Sequence, residues 1–330
     1  MLTFTRDSLR ASVESASGGR RTVIYNDKGH PCYMVRIPKF RCEDVAPGGE
    51  LGSGIFPAFT AGGVERSELL LGQYQARVYD GRAVSIGGVD PTTNIDYDQA
   101  KGYCEANGPG WHLMSVWEWA AVAFWSMANG FEPRGNTDWG RAHDANHEVG
   151  IRGDDYLPGV SDGSGRTNTG SGPAAWRHDD TMDGLADLVG NVWEWQDQFK
   201  LVDGEIFATD DNDHTVDEAN WPSLSRYFDT SSGVALTDSA PAGTGSNGVD
   251  PWNNVDTANY TALEKLARLL VAPVGIHPQG KLYVDDTSER LPVRGGYRGN
   301  AGGAGLGALN LGYARGDSNS NIGCRPALAI

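Results

Sequence analysis

The chain has 330 residues, enough for one large domain or two ordinary ones. Its 27 Lys plus Arg against 43 Asp plus Glu leave a formal charge of −16, which argues against nucleic acid or an anionic membrane as a partner, because both need a positive patch. The 39% hydrophobic content with 10 Trp, 12 Tyr and 9 Phe is that of a globular protein, and 45 glycines predict much irregular backbone. Cys32, Cys42, Cys104 and Cys324 form no Cys-x-x-Cys pair; they read as buried thiols, with a Cys32 to Cys42 bridge as the alternative. Residues 1–10 carry charges where a cleavable signal needs an apolar run, and no long apolar stretch occurs. A soluble chain without such a signal and without membrane insertion is expected.

In chain order, residues 5–16 carry Leu9 and Val13 four apart and end at Gly18-Gly19, which predicts a short helix. Residues 22–25 and 33–37 are β-rich runs joined through Asn26-Asp27-Lys28-Gly29, a hairpin signal. Pro47-Gly48-Gly49 then breaks the chain, so residues 1–55 are expected to form a small attachment or oligomerisation module and residues 56–330 the main domain. Asp96 with Gln99 opens a helix that stops at Asn107-Gly108, and Ser115 with Glu118 opens another that runs to Asn129-Gly130. Thr261 with Glu264 predicts a third over residues 262–271. The stretches 130–180 and 203–260, rich in Gly, Asp, Asn, Ser and Thr, read as long surface insertions.

Several short motifs compete for a chemical role. His143 and His147 lie four apart around Asp144, an echo of a zinc-protease motif, but Gly140 and Gly150 leave little room for the helix that would hold the ligands. Gly303-Ala304-Gly305-Leu306-Gly307-Ala308 imitates a dinucleotide loop without the βαβ unit around it. Arg-Gly-Asp occurs at 152–154 and 315–317, a weak signal in a chain so rich in Gly and Asp. No Gly-x-Ser-x-Gly elbow is present.

The segment Asp187-Leu188-Val189-Gly190-Asn191-Val192-Trp193-Glu194-Trp195 resembles the Gly-Asn-Val-Trp-Glu-Trp signature of the formylglycine-generating-enzyme branch of the C-type lectin fold. Leu71 to Ala76, Asp96 to Cys104, Leu113 to Ala120, Trp139-Gly140 with Ala145-Asn146, and the ending from Val293 to Leu328 resemble that family's landmarks in order. The resemblance implies an α+β C-type lectin fold with long irregular insertions. It also implies two redox cysteines after Gly295-Gly296, and the matching positions here hold Asn300 and Gly305, so that oxidation is not expected and the chain reads as a non-enzyme. A calcium ion is implied as well, on Asp187 and Glu194 by carboxylate and Gly190 and Val192 by carbonyl. The alternative for Glu194 is a structural acid bonded within a tryptophan cluster.

Residues 294–325 are similar to the variable region of diversity-generating-retroelement target proteins, a group that includes phage tropism determinants. In that family a reverse transcriptase miscopies adenines, and Asn codons scatter into other residues. The resemblance implies ligand contacts at Tyr297, Arg298, Gly299, Asn300, Gly303, Leu306, Gly312, Tyr313, Gly316, Asp317 and Ser320. Read on their own, the tyrosines supply stiff amphipathic area, Arg298 and Asp317 directional charge, and Gly, Ser and Asn room, which is a paratope composition. A partnerless glycine-rich connector is the alternative. Ala308, Leu309, Leu311, Ile322, Ala327 and Leu328 are expected to anchor the segment. The expected partner is a variable protein or glycan ligand on a cell surface, met by a protein of a phage or prophage tail or of the bacterial surface, and a homo-oligomer would fit a tail tip. Alternatives are a formylglycine-generating-type oxidase scaffold and a calcium-dependent sugar lectin.

Overall fold

The computed structural model describes residues 7–243, 245–249 and 252–330. Local signals set most helix ends. Ser8–Ser17 starts where the Asp7 carboxylate accepts from Arg10 N at 2.9 Å and stops at Gly18, whose φ of 62° is left-handed; residues 5 and 6 of the expected helix lie outside the described residues. Tyr97–Glu105 and Val116–Ala128 both begin with complete capping boxes, Asp96 with Gln99 and Ser115 with Glu118. The predicted third helix is shorter, Glu264–Arg268, and its cap is Leu263. Thr261 does not cap it, because the Asp238 carboxylate takes its hydroxyl at 2.5 Å and its N–H at 3.0 Å.

Two sheets carry the fold. The first has five strands in the order Arg21–Tyr25, Pro31–Pro38, Glu68–Gly72, Pro326–Leu328 and Trp111–Leu113. The amino-terminal hairpin is present, with Asn26 Oδ1 accepting from Lys28 N and His30 N across its turn. It does not form a separate module. It pairs with Glu68–Gly72, and Phe40, Cys42, Val45 and Leu51 are buried in the main core, so the expected break at residue 55 falls inside one continuous unit.

The second sheet contains the stretch expected to be surface loop. Glu205–Ala208, Ser223–Asp229, Ala235–Thr237, Ser246–Val249 and Asp256–Asn259 are strands of an eleven-stranded sheet that also holds Leu282–Asp285, Glu289–Gly295 and Gly305–Tyr313. Residues 130–180 remain irregular, with a single short 3₁₀ turn at Ala174–Trp176. The helix Val116–Ala128 is apolar on nearly every face and buried in the main core. Two indoles aim at the start of one strand: Trp119 Nε1 donates to Leu306 O at 2.9 Å and Trp252 Nε1 to Gly307 O at 3.0 Å. All four cysteines are free and buried, and burial pushes the Cys32 thiol up to about 11. No helix among the described residues is long and apolar enough to cross a membrane.

Buried and half-buried histidines give the fold a pH dependence. His178 Nδ1 accepts from Leu185 N and His277 Nε2 from Val274 N, both at 2.9 Å, bonds that require an unprotonated nitrogen. Burial lowers His178, His214 and His277 to about 4 each. Below pH 6.5 the unfolded chain therefore binds more protons at these three sites, and their contribution to stability falls as pH drops from 6.5 towards 4. His112 acts oppositely: buried and 3.1 Å from Glu118, its pKa is raised despite desolvation, so its contribution is present at low pH and lost as pH rises. Three sites outweigh one. Thermal melts should show Tm falling between pH 7 and pH 5, and His277→Gln should flatten that slope; a Tm rising over this interval would contradict the assignment.

Candidate functional site

The centre of the molecule is a buried polar knot around Glu194. Arg325, fully buried, grips both carboxylate oxygens of Glu194 at 2.8 and 2.7 Å and also donates to Gly72 O and Ala186 O, both at 2.8 Å. Gln75 Nε2 donates to Glu194 Oε1 at 3.1 Å, Val192 O at 3.1 Å and Asp187 O at 3.0 Å. Asn191 closes the knot, donating to Gln75 Oε1 at 2.8 Å and accepting from Thr167 N at 2.9 Å. Gly190 is required there, since a Cβ would lie 2.1 Å from Asn136 O.

This knot does not fit the expected calcium ion. The Glu194 carboxylate faces a guanidinium, Val192 O faces the Gln75 amide, and Asp187 Oδ2 accepts from Gly170 N at 2.6 Å. Burial, the largest effect on it, raises the Asp187 carboxyl above its usual range. Of the expected ligands Asp187, Gly190, Val192 and Glu194, the first and the last two thus have oxygens committed to protein donors, and the Arg325 guanidinium puts a fixed positive charge on the Glu194 carboxylate. The reading of Glu194 as a structural acid within a tryptophan cluster matches the observed partners, for Trp193 and Trp195 flank it, buried.

The segment after Gly295-Gly296 divides into anchors and a rim. Ala308, Leu309, Leu311, Ile322, Ala327 and Leu328 are buried. Tyr297 and Tyr313 are half-buried: their bodies pack on the cluster around Trp193 and Trp195, and part of each ring is accessible. Tyr313 has Tyr297, Tyr283 and Asp317 as electrostatic neighbours, and burial, the largest effect, raises its phenol above the usual range. Gly299, Gly316 and Ser320 are exposed, and Asn300, Gly303, Gly312 and Asp317 are half-buried.

Two expected contacts sit elsewhere. Leu306 is 1% exposed and belongs to the main core with Leu309 and Leu311, at a break in strand register between Gly305 and Leu309. Arg298 is 7% exposed: its guanidinium lies over Trp139 at 5.5 Å and Tyr297 at 5.8 Å and donates to Ser320 O at 3.3 Å. It braces the rim from beneath rather than offering a free charge. Asn300 shapes a turn, its Oδ1 accepting from Tyr297 N at 2.9 Å.

The glycines divide in the same way. A Cβ on Gly295, Gly305 or Gly307 would lie 2.3, 1.9 or 2.5 Å from the backbone oxygens of Leu188, Gln279 or Pro278. On Gly299, Gly303 or Gly312 it would meet only side chains, nearest those of Tyr297, Tyr283 or Asn310, at 3.0 Å or more, and on Gly316 nothing within 4 Å. The rim accepts side chains; the frame does not. Gly305, matching one redox-cysteine position of the enzymatic members, has no room for a thiol. Beside it is a cavity of about 200 Å³ whose lining includes Arg134, Thr137, His143 and Asp144.

The competing motifs lose their groups to internal bonds. Arg152 is buried and pairs with Asp154 at 2.8 Å, while Arg315 binds Glu289, Asp98 and Glu218, and Asp317 Oδ2 accepts from Ala314 N. Neither Arg-Gly-Asp is a free loop. His143 bonds Thr137 Oγ1 through Nδ1 in an irregular segment, with no helix to present it beside His147. Among the described residues no group of three or more His, Cys, Asp or Glu side chains is arranged to hold a metal. Sequence reasoning passed over Tyr283, whose hydroxyl would stand 3.3 Å from a Cβ on Gly303, and Trp139 beneath Arg298. Both come from outside residues 294–325, and only tertiary pairing brings them in.

The strand-rich architecture with its few helices is an α+β C-type lectin-like fold. The chain belongs to the family of the sulfatase-modifying factor enzyme 1-like domain, whose model matches residues 16–228. Among solved structures it is similar to PvdO from Pseudomonas aeruginosa at 14% identity, over 94% of this chain and 98% of that one, with a TM-score of 0.38. It is also similar to the Major Tropism Determinant U1 variant at 12% identity, over 93% and 71%, TM-score 0.34, and to Treponema denticola variable protein 1 at 12%, over 93% and 98%, TM-score 0.37. No curated protein matches the chain.

Two expectations follow. A calcium site saturated 100-fold over its Kd would add about 2.7 kcal/mol, so a Tm unmoved by millimolar calcium or EGTA is expected, whereas Arg325→Met should cost about 3–5 kcal/mol in chemical denaturation by stranding Glu194. Gly312→Ser and Gly316→Tyr should leave stability nearly unchanged, whereas Gly307→Ala should cost about 1–3 kcal/mol or more by overpacking; equal losses at all three would show that frame and rim are not separate.

Proposed function

We propose that the protein is a recognition module without turnover, which binds a variable protein or glycan ligand on a cell surface through the rim formed by Tyr297, Tyr313 and the residues around them. The rim is the product of retroelement diversification, and the protein is displayed on a phage or prophage tail, as a homo-oligomer contacting other tail components. The observation that carries this reading is the match between the rim and tolerance. The glycines there admit side chains, while those of the neighbouring frame are closed by backbone oxygens. A mere connector has no need of that division. Stiffness supports the reading too: Asn94 N bonds Asn319 O at 3.0 Å, and Arg166 and Arg298 both donate to Ser320 O, so the loop is held in place before any ligand arrives. With Asn300 and Gly305 at the positions of the family's redox cysteines, oxidation of the formylglycine-generating kind has no thiol here.

The test is retention on an array of bacterial cell-envelope proteins and glycans, comparing the full chain with Tyr297→Ala and Tyr313→Ala. Each substitution should reduce retention about tenfold or more, with Tm lowered by only a few degrees. Retention unchanged in both variants, or turnover of a cysteine-containing sulfatase peptide, would overturn the proposal.

A further inference from the structure

One wall of the rim is supplied from outside residues 294–325. The strand Ser246–Val249 pairs antiparallel with Leu282–Asp285, which pairs in parallel with Gly305–Tyr313 and sets Tyr283 opposite Asn310. Between them opens a cleft of about 270 Å³ lined by Ser246, Asn247, Tyr283, Asn310, Gly312 and Tyr313. Its two rings are held from behind, Tyr283 edge-on to Trp193 at 6.3 Å and Tyr313 edge-on to Trp195 at 6.1 Å. Asn310 Oδ1 accepts from Gly312 N and Asn247 Oδ1 from Gly248 N, both at 2.8 Å, which leaves the two amide NH₂ groups as donors. The acid at its edge is neutralised: Asp285 pairs with Arg290 at 2.8 Å.

We infer that this cleft is a subsite for an uncharged pyranose ring. Two stiff aromatic faces suit the C–H face of a sugar, and amide and hydroxyl groups suit its hydroxyls. A charged ligand would lose its hydration in a cleft whose lining holds one acid, already paired, and no cation, the Lys281 ammonium lying over the Tyr283 ring at 5.2 Å but outside that lining, and the net charge of −16 disfavours acidic sugars further. The inference rests on the binding reading above and assigns it a ligand class, with Ser246, Asn247 and Tyr283 as a wall outside the diversified segment. It requires no metal.

Ligand-observed saturation-transfer NMR on the full chain tests it, with methyl α-glucopyranoside, methyl β-galactopyranoside, methyl N-acetyl-β-glucosaminide and glucuronate as probes. Transfer to at least one neutral pyranoside is expected, with a millimolar Kd, unchanged by EDTA, and none to glucuronate. Binding should weaken about tenfold in Asn247→Ala and Tyr283→Ala and persist in Tyr283→Phe; Asn247 is exposed, so its variant reports even if Tyr283→Ala fails to fold. Absence of transfer to every neutral pyranoside, or transfer unaffected by Asn247→Ala, overturns the inference. If array retention depends on Tyr297 while no pyranoside binds, the sugar assignment fails and the recognition reading stands. Pyranoside binding at the cleft without any Tyr297-dependent ligand gives the converse.

Discussion

The pairing of Glu194 with Arg325 is the constraint on which the rest of the structure depends. Both groups are removed from water, so their attraction is weakly screened, and neither can lose its partner without leaving a bare charge in the interior. Gln75 and Asn191 satisfy the remaining oxygens, which makes the knot complete rather than half-filled. Glu194 lies on Trp193–Trp195, which pairs with Glu289–Gly295, and Arg325 immediately precedes Pro326–Leu328. The two ends of the rim-bearing segment are thus held to each other through one charge pair.

A rim that tolerates change needs a frame that does not. Trp119 and Trp252 fix the carbonyls of Leu306 and Gly307 from one side, and Arg315 fixes the far loop through three carboxylates. Between these pins the backbone has little freedom left to lose, so a new side chain at Gly312 or Gly316 alters the surface without altering the path of the chain. Arg298 shows the same economy: its guanidinium, close to the Trp139 and Tyr297 rings, supports the rim from beneath.

What could be read in the sequence was local. The capping boxes at Asp96 and Ser115 and the hairpin turn at Asn26 act over three or four residues, and each appears where its pattern placed it. The ordered tryptophan and glycine motifs carried the fold class. Strand pairing was not legible: residues 203–260 look like loop by composition, yet most of their strands pair with one another and with Phe199–Val202, and this run is joined to the rest of the sheet through the pairing of Phe199–Val202 with Glu289–Gly295. Thr261 missed its capping role because Asp238, more than twenty residues away, competes for its hydroxyl. At the rim, Tyr297 and Tyr313 could be singled out by type, but the inward turn of Leu306 comes with a break in strand register, and the arrival of Tyr283 follows from a parallel pairing, neither of which a local pattern encodes.

The strand Pro326–Leu328 occupies the middle of the first sheet, between Glu68–Gly72 and Trp111–Leu113. A ribosome therefore releases that strand only after residues 294–325 have been made. Messages damaged by a premature stop or a shifted reading frame within that stretch would yield polypeptides lacking both Arg325 and a central strand, and these would be left to proteases. Completion of the fold thus tests the reading frame across residues 294–325, passing amino-acid exchanges on the rim and discarding broken frames.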